Sequence, residues 1–364
     1  MNSRLRPRAT ALALVLISAL SLTACQAPVK NTAAAAEPAA QPAATPVQQR
    51  EVGDGLYEMA WAAGNPASLY VASAQTFKTS NGGVIYRLDA NTLATLGTTH
   101  TDLKNFGMTA SPDGSVLYVT NTLDGGVTKV DAKSGKVLQR LLFGLKNDKG
   151  NPVGAREIML HDGLLYIGAI ENPAMIWVVD ANTLKLKTTI KNAGKWVTGL
   201  LYSDVTHRIY AANGNGEILV INPRSHKIEQ RWTVGDGKEY LLLNLAEDAA
   251  NGRLFVTDNS KGKTTLVFDE HSGKLIKRLE VGDSLGIKFN AQRNEIYISQ
   301  RLGGKVLQLD ATTYAVKNSW TLPTHPNSLL VSPDGQTLYV TVKQGLNKDR
   351  SPQGPDSVVR IKLN

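Results

Sequence analysis

Seven short apolar stretches repeat one pattern, each anchored by an aromatic residue: Tyr70, Tyr118, Tyr166, Tyr210, Phe255, Tyr297 and Tyr339. Successive anchors lie 48, 48, 44, 45, 42 and 42 residues apart. A period slightly above forty with strand-like alternation constrains the fold severely, because one small sheet has two apolar faces and needs a neighbour stacked on each. The pattern predicts an all-β chain, a seven-bladed β-propeller of four-stranded antiparallel sheets. The second repeat displays the unit over Ser111 to Leu141. A Pro-Asp-Gly turn leads into Leu117 to Asn121, a Gly-rich loop into Val127 to Val130, and a Ser-Gly turn into Val137 to Leu141. Pro112 presets φ for the first turn and Gly114 can take positive φ. An inner strand containing Gly107 and Thr109 precedes these three.

The repeats also predict how the ring closes. The chain ends at Ser357 to Leu363, which matches the third strand of a blade and leaves the last blade one strand short. Gln48 to Glu58 (QQREVGDGLYE) resembles the junction of the fourth and fifth repeats, Gln230 to Tyr240 (QRWTVGDGKEY). The N-terminal segment is therefore expected as the outer strand of the last blade, pairing with the C-terminal strands and leaving no free edge.

Upstream lies an export address. Arg4, Arg6 and Arg8 precede the apolar run Ala9 to Leu22, which is too short for a spanning helix, and Leu22-Thr23-Ala24-Cys25 follows. The segment resembles a bacterial lipoprotein signal, which implies residues 1–24 as the leader and a lipid on Cys25. Cys25 is the single cysteine, so no intramolecular disulfide can form. Gln26 is not the Asp that resembles an inner-membrane retention signal, so an outer-membrane anchor facing the periplasm is expected. Residues 25–47 are an Ala/Pro/Thr/Gln tract read as a tether, with a reach of about 3.1 Å per residue where it is polyproline-like. Residues 48–364 are assigned to the propeller, with no length left for a second domain. Formal charge is +9, and the leader removes three arginines and no acid, leaving +6. That balance permits a polyanion partner without requiring one.

Function in a propeller belongs to the loops around its mouth. The residues entering the inner strands include Tyr57 and Glu58, then Lys104, Asn105 and Phe106, then Arg156 and Glu157. Lys195, Trp196 and Thr198 follow, then Lys238, Glu239 and Tyr240, then Asp283 and Ser284, and finally His325 and Asn327. Basic groups neutralise phosphate and aromatic faces stack on unpaired bases, about 1–3 kcal/mol per base. The expected binder is a stack on Phe106, Trp196 and Tyr240 with phosphate contacts from Lys104, Arg156, Lys195 and Lys238. Carboxylates Glu58, Glu157, Glu239 and Asp283 share that rim, so a network of ion pairs around a channel fits the same residues. Two longer loops join the mouth: Val342 to Ser357, with Lys343, Lys348 and Arg350, and Ala74 to Gly83, with Phe77 and Lys78.

Asp89, Asp131, Asp180, Asp269 and Asp310 recur once per blade and suggest a metal ring at first sight. Each ends a third strand and opens a turn, where a carboxylate caps amides, and Asn222 stands at the same place in the fourth repeat. No metal or cofactor is expected. The six histidines are scattered, and there is no haem motif, phosphate loop or nucleophile elbow.

Leu117-Tyr118-Val119-Thr120-Asn121 and its variants resemble the YVTN-type propeller repeat. Six mouth and blade segments resemble the YncE-like periplasmic subfamily more specifically: Gly55 to Trp61, Leu103 to Gly107, Ala155 to Ile158, Ile176 to Lys187, Gly194 to Gly199 and Pro323 to Gln344. The likeness covers nearly everything after about residue 50. It implies the propeller fold, no assigned enzyme activity, and an association with DNA through the loop face. The matching mouth positions are Lys104, Phe106, Arg156, Lys195, Lys238, His325 and Asn327. The subfamily is freely periplasmic, and Cys25 sets this chain apart from it. The leading expectation is thus a cell-envelope binding module for single-stranded DNA or another polyanion, without catalytic residues. A protein-interaction scaffold of the envelope is the alternative. A lactonase-like hydrolase would have to draw on Glu58, Glu157, Asp283 and His325.

Overall fold

The computed structural model describes residues 47–62, 67–76, 82–349 and 351–364. The leader, Cys25 and nearly all of the tether lie outside the described residues, as do Phe77, Lys78 and Arg350. Seven four-stranded antiparallel sheets follow one another in a ring, a β-propeller as the repeat predicts. The inner strands are Leu56–Ala62, Met108–Ala110, Gly154–His161, Val197–Ser203, Leu242–Asp248, Ile287–Asn290 and His325–Val331. Each pairs outward through its blade, and neighbouring inner strands touch around the axis, including blade 7 with blade 1.

Closure follows the expected route. Val47–Gly53 pairs antiparallel with Asp356–Lys362 as the outer strand of blade 7, starting with Val47 opposite Ile361. The strand therefore begins one residue earlier than the tether boundary placed it, because Val47 still has a ladder partner. Packing seals the same seam: Tyr339 and Val358 of blade 7 bury against Leu56, Leu69 and Leu88 of blade 1.

The repeat aromatic fills the space between one blade and the next. Tyr118 of blade 2 is buried against Leu165, Ile167 and Trp177 of blade 3. Its hydroxyl crosses the gap and donates to the Ala181 carbonyl at 3.0 Å. Tyr70, Tyr166, Tyr210 and Tyr339 do the same to Ala132, Pro223, Glu270 and Ala90. Each acceptor directly follows the turn Asp or Asn of the next blade. Phe255 has no hydroxyl, and Arg253 donates to the Ala311 carbonyl in its place at 2.6 Å. Tyr297 faces blade 7, where the chain ends without a turn, and its hydroxyl donates to Glu295 at 2.6 Å instead. The turn residues are caps, as expected: Asp131 accepts from the Ser134 amide at 2.7 Å, and Asn222 from the Arg224 amide at 2.9 Å. These amides hold the Asp131, Asp180 and Asp310 carboxyls below the usual carboxylate range.

A second set of bonds runs along the inner strands. Thr120, Thr257 and Ser299, two residues after the repeat aromatic, accept from an amide of their own blade, those of Gly107 and Gly286 just before the inner strand and that of Asn244 within it. Each then donates to a carbonyl of the next blade: Arg156 at 2.7 Å, Leu285 at 2.8 Å and Asn327 at 2.7 Å. Such close approach leaves no room for side chains at Gly107, Gly199 and Gly286, where a Cβ would stand 2.2, 2.2 and 2.6 Å from the neighbouring blade's carbonyl oxygen.

Candidate functional site: an axial cavity and a mouth groove

Two separate places carry the chemistry that the mouth residues suggested. The first lies on the axis. Five inner strands slip register near their mouth ends, at Leu56/Met59, Ala155/Ile158, Val197/Gly199, Leu242/Leu245 and Pro326/Leu329. A bulge interrupts strict alternation and re-aims a side chain. The residues within these slips, Glu58, Arg156, Glu157, Thr198, Asn244, Asn327 and Ser328 among them, line a cavity of about 160 Å³ together with Lys288. Its walls come from the inner-strand segments of six of the seven blades, which places it on the propeller axis.

The charges there are arranged in detail. Ser328 of blade 7 donates to the Glu58 carboxylate of blade 1 at 2.6 Å. Burial, then the Glu58 carboxylate beside it, push the Glu157 carboxyl up to about 8, against the pull of Arg156 and Lys288. Glu157 retains some accessible surface because it faces the cavity, and the enclosure governs its ionisation. The Arg156 guanidinium lies 4.8 Å from the Tyr57 ring centre and 5.6 Å from that of Phe106. Its Nη1 is buried without a hydrogen-bond partner.

The second place is a groove of about 990 Å³ on the mouth face between blades 4 and 5. Lys195, Trp196, Lys238, Glu239, Tyr240, Lys261, Arg278 and Glu280 line it, with the loop residues Asn215 and Asn259. Trp196 is 38% exposed and has φ of +52°. A bulky residue in the left-handed region is an outlier that persists only where its surroundings hold it. Two backbone bonds do so: its own amide donates to the Glu171 carbonyl at 3.0 Å, and the Gly214 amide donates to its carbonyl at 3.2 Å. Lys195 Nζ stands 4.3 Å from the indole centre.

The expected site residues thus divide. Lys195, Trp196, Lys238 and Tyr240 meet in the groove, whereas Arg156 and Asn327 line the axial cavity. Phe106 does not offer the expected stacking face: it is 4% exposed, with Tyr57 4.7 Å from its ring and Arg156 on it as well. Tyr240 is corrected likewise, being 8% exposed with its hydroxyl bound to Asp236 and Arg278. Lys104 spends its ammonium on the carbonyls of Ala74 at 2.8 Å and Thr76 at 2.6 Å, pinning the first-blade loop. Lys343 is no mouth cation either. Its ammonium binds the Leu56 carbonyl at 2.9 Å and Asp356 at 3.3 Å, and burial pushes its pKa down to about 8. His325 is a wall residue whose Nδ1 lies 3.0 Å from the Arg301 carbonyl.

Of the four residues that a hydrolase would draw on, two line the axial cavity and two do not. Glu58 and Glu157 reach the axis, while Asp283 accepts from the Leu302 amide at 2.6 Å and is not part of the cavity wall. Among the described residues no three His, Cys, Asp or Glu side chains are grouped to hold a metal ion. Lys288, Asn244 and Ser328 on the axis, and Lys261 and Arg278 in the groove, escaped the sequence reading. Ser328 had one available signal: it directly follows Asn327, a mouth position already selected by the repeat.

The chain is 40% identical over 326 residues to the uncharacterized protein YncE of Salmonella typhimurium, covering 88% of this chain and 92% of that protein. The chain belongs to the YncE family. The YncE protein of Escherichia coli K12, also uncharacterized, matches with the same identity and coverage. Antigen Lp49 of Leptospira interrogans is 26% identical over 258 residues, 68% of this chain and 56% of that antigen. No family model matches the chain.

Proposed function

We propose that this YncE-family propeller is a binding module whose mouth groove takes single-stranded DNA, with Trp196 as the stacking surface and Lys195, Lys238 and Lys261 as phosphate contacts. One observation carries the reading: an exposed indole, held in a left-handed backbone conformation, at the edge of a groove with three exposed or half-exposed lysines. An aromatic platform beside mobile ammonium groups suits a polyanion with unpaired bases. The leader motif ending at Cys25 supports a second part of the proposal, that a lipid on Cys25 tethers the propeller to the outer membrane on its periplasmic side.

A labelled thymidine oligonucleotide titrated at two salt concentrations tests the groove. Affinity is expected to fall with salt, with a log–log slope of about 0.7 per phosphate contact. Lys195→Glu with Lys238→Glu weakens binding and flattens that slope, while Trp196→Ala weakens binding at nearly constant slope. Absence of binding at low salt, or indifference to all three residues, sinks the reading. The anchor is tested by Cys25→Ser, which is expected to move the protein into the soluble fraction; unchanged membrane association refutes it.

A second reading, a scaffold for an envelope protein, draws on Leu302 and Leu346. They are 68% and 57% exposed on the mouth-face loops of the adjacent blades 6 and 7. Apolar groups so placed suit a protein partner better than a nucleic acid. Loss of a co-purifying envelope protein on Leu302→Ser with Leu346→Ser, with oligonucleotide affinity unchanged, would favour it.

A further inference from the structure

The groove accounts for Lys195, Trp196 and Lys238 and leaves the axial cavity without a role. Its size limits what can enter. A cavity near 150 Å³ holds a benzene-sized molecule, so the 160 Å³ here admits a ligand of roughly six to eight non-hydrogen atoms. A nucleotide is too large.

The walls limit its chemistry. Arg156 brings a guanidinium to the lining, with its Nη1 buried and without an acceptor in the protein. Lys288 adds a second cation to the lining. Against them stands Glu58, already receiving the Ser328 hydroxyl at 2.6 Å. Glu157 holds its proton at neutral pH, since burial and Glu58 raise its pKa to about 8. The lining charge at neutral pH is then two cations and one anion, an excess of one positive charge. A dianion would meet Glu58 with a charge too many, and a cation would meet Arg156 and Lys288. A monoanion fits, its oxygens accepting from the Arg156 guanidinium and from the acid proton of Glu157. The flat, two-oxygen fork of a carboxylate matches a guanidinium donor best. We propose that the axial cavity, lined by Arg156, Glu157, Lys288, Glu58, Asn244 and Ser328, is a binding site for a small monocarboxylate.

The proposal is independent of the groove reading, because none of its residues lines the groove. The probes are lactate as the monocarboxylate, inorganic sulfate as the dianion and methylammonium as the cation. Each is titrated by calorimetry into the protein at pH 6.5 and fixed ionic strength. Lactate is expected to bind with a millimolar Kd, and at ten times Kd to raise the melting midpoint by about 2 °C through mass action. Sulfate and methylammonium are expected to bind at least tenfold more weakly. Arg156→Gln removes lactate binding. Because Arg156 also packs on Tyr57 and Phe106, Lys288→Gln serves as a second variant, expected to weaken lactate at least threefold without loss of folding. Glu157→Gln retains affinity at pH 6.5 and abolishes its decline above about pH 8, whereas the wild type loses affinity as Glu157 ionises. Trp196→Ala leaves lactate binding unchanged. No lactate binding to the wild type, equal binding of sulfate, or lactate affinity unaltered in both Arg156→Gln and Lys288→Gln overturns the proposal.

Discussion

The two faces of this propeller are built by different rules. On the face where third strands turn into fourth strands, six blades use one solution: an Asp or Asn caps the turn, and a donor from the preceding blade takes the next carbonyl. Even the exception conforms, since Arg253 supplies the bond that Phe255 cannot. On the axis the blades differ more: Glu58 stands in blade 1, Arg156 with Glu157 in blade 3, Asn244 in blade 5, Lys288 in blade 6, and Asn327 with Ser328 in blade 7. The uniform face carries one of the two sets of blade-to-blade bonds. The irregular face is free to vary, which is where binding chemistry can accumulate.

Removing Val47–Gly53 attacks the ring itself and is expected to have the largest effect. It exposes the ladder edge of Asp356–Lys362, so the single cooperative unfolding transition should be replaced by aggregation or a broad melt in calorimetry. A sharp melt at the wild-type temperature would break the claim that this strand closes the ring. Next comes the stitched face. Tyr118→Ala should cost about 3–5 kcal/mol by denaturant unfolding, and Tyr118→Phe, which leaves the Ala181 carbonyl unpaired, about 1–3 kcal/mol. Arg253→Met should cost about 3–5 kcal/mol although no repeat residue changes, because it strands Asp248, 1% exposed, as a buried carboxylate. A loss under 1 kcal/mol would show that the arginine does not replace the missing tyrosine hydroxyl.

On the mouth face the expected effect on stability depends on pH. Glu157 has a folded-state pKa near 8, raised from an ordinary value of 4.5, so the folded state binds more protons than the unfolded chain between those limits. Its contribution is therefore full below about pH 4.5 and is lost as pH rises to about 8. The melting midpoint of Glu157→Gln should match the wild type near pH 4.5 and exceed it increasingly up to pH 8. A difference constant with pH would mean that Glu157 is not enclosed as described. The smallest effect is expected for Trp196→Ala, within about 0.5 kcal/mol in stability, while its oligonucleotide affinity falls. A large destabilisation would instead make Trp196 a packing residue.

Most of the architecture was legible because each of its signals is local and repeated. The aromatic anchors counted the blades, the missing fourth strand named its replacement, and Asn222 standing where five blades have Asp identified the caps. The mouth was legible as a list of residues and illegible as a site. Phe106 and Trp196 both precede an inner strand by a residue or two, yet one is buried under Tyr57 and the other faces solvent. Lys104 and Lys195 look equivalent in sequence, and only one keeps its ammonium off the backbone carbonyls of a neighbouring loop.

The sequence by itself determined the number of blades, the strand that closes them and the turns that cap them, because periodicity and turn chemistry act over a few neighbouring residues. Only the tertiary structure decided which mouth residues reach the axis, which share a groove and which are spent on loops. Those assignments depend on bulges and on how closely one blade's backbone approaches the next, a distance set by packing between segments some forty residues apart.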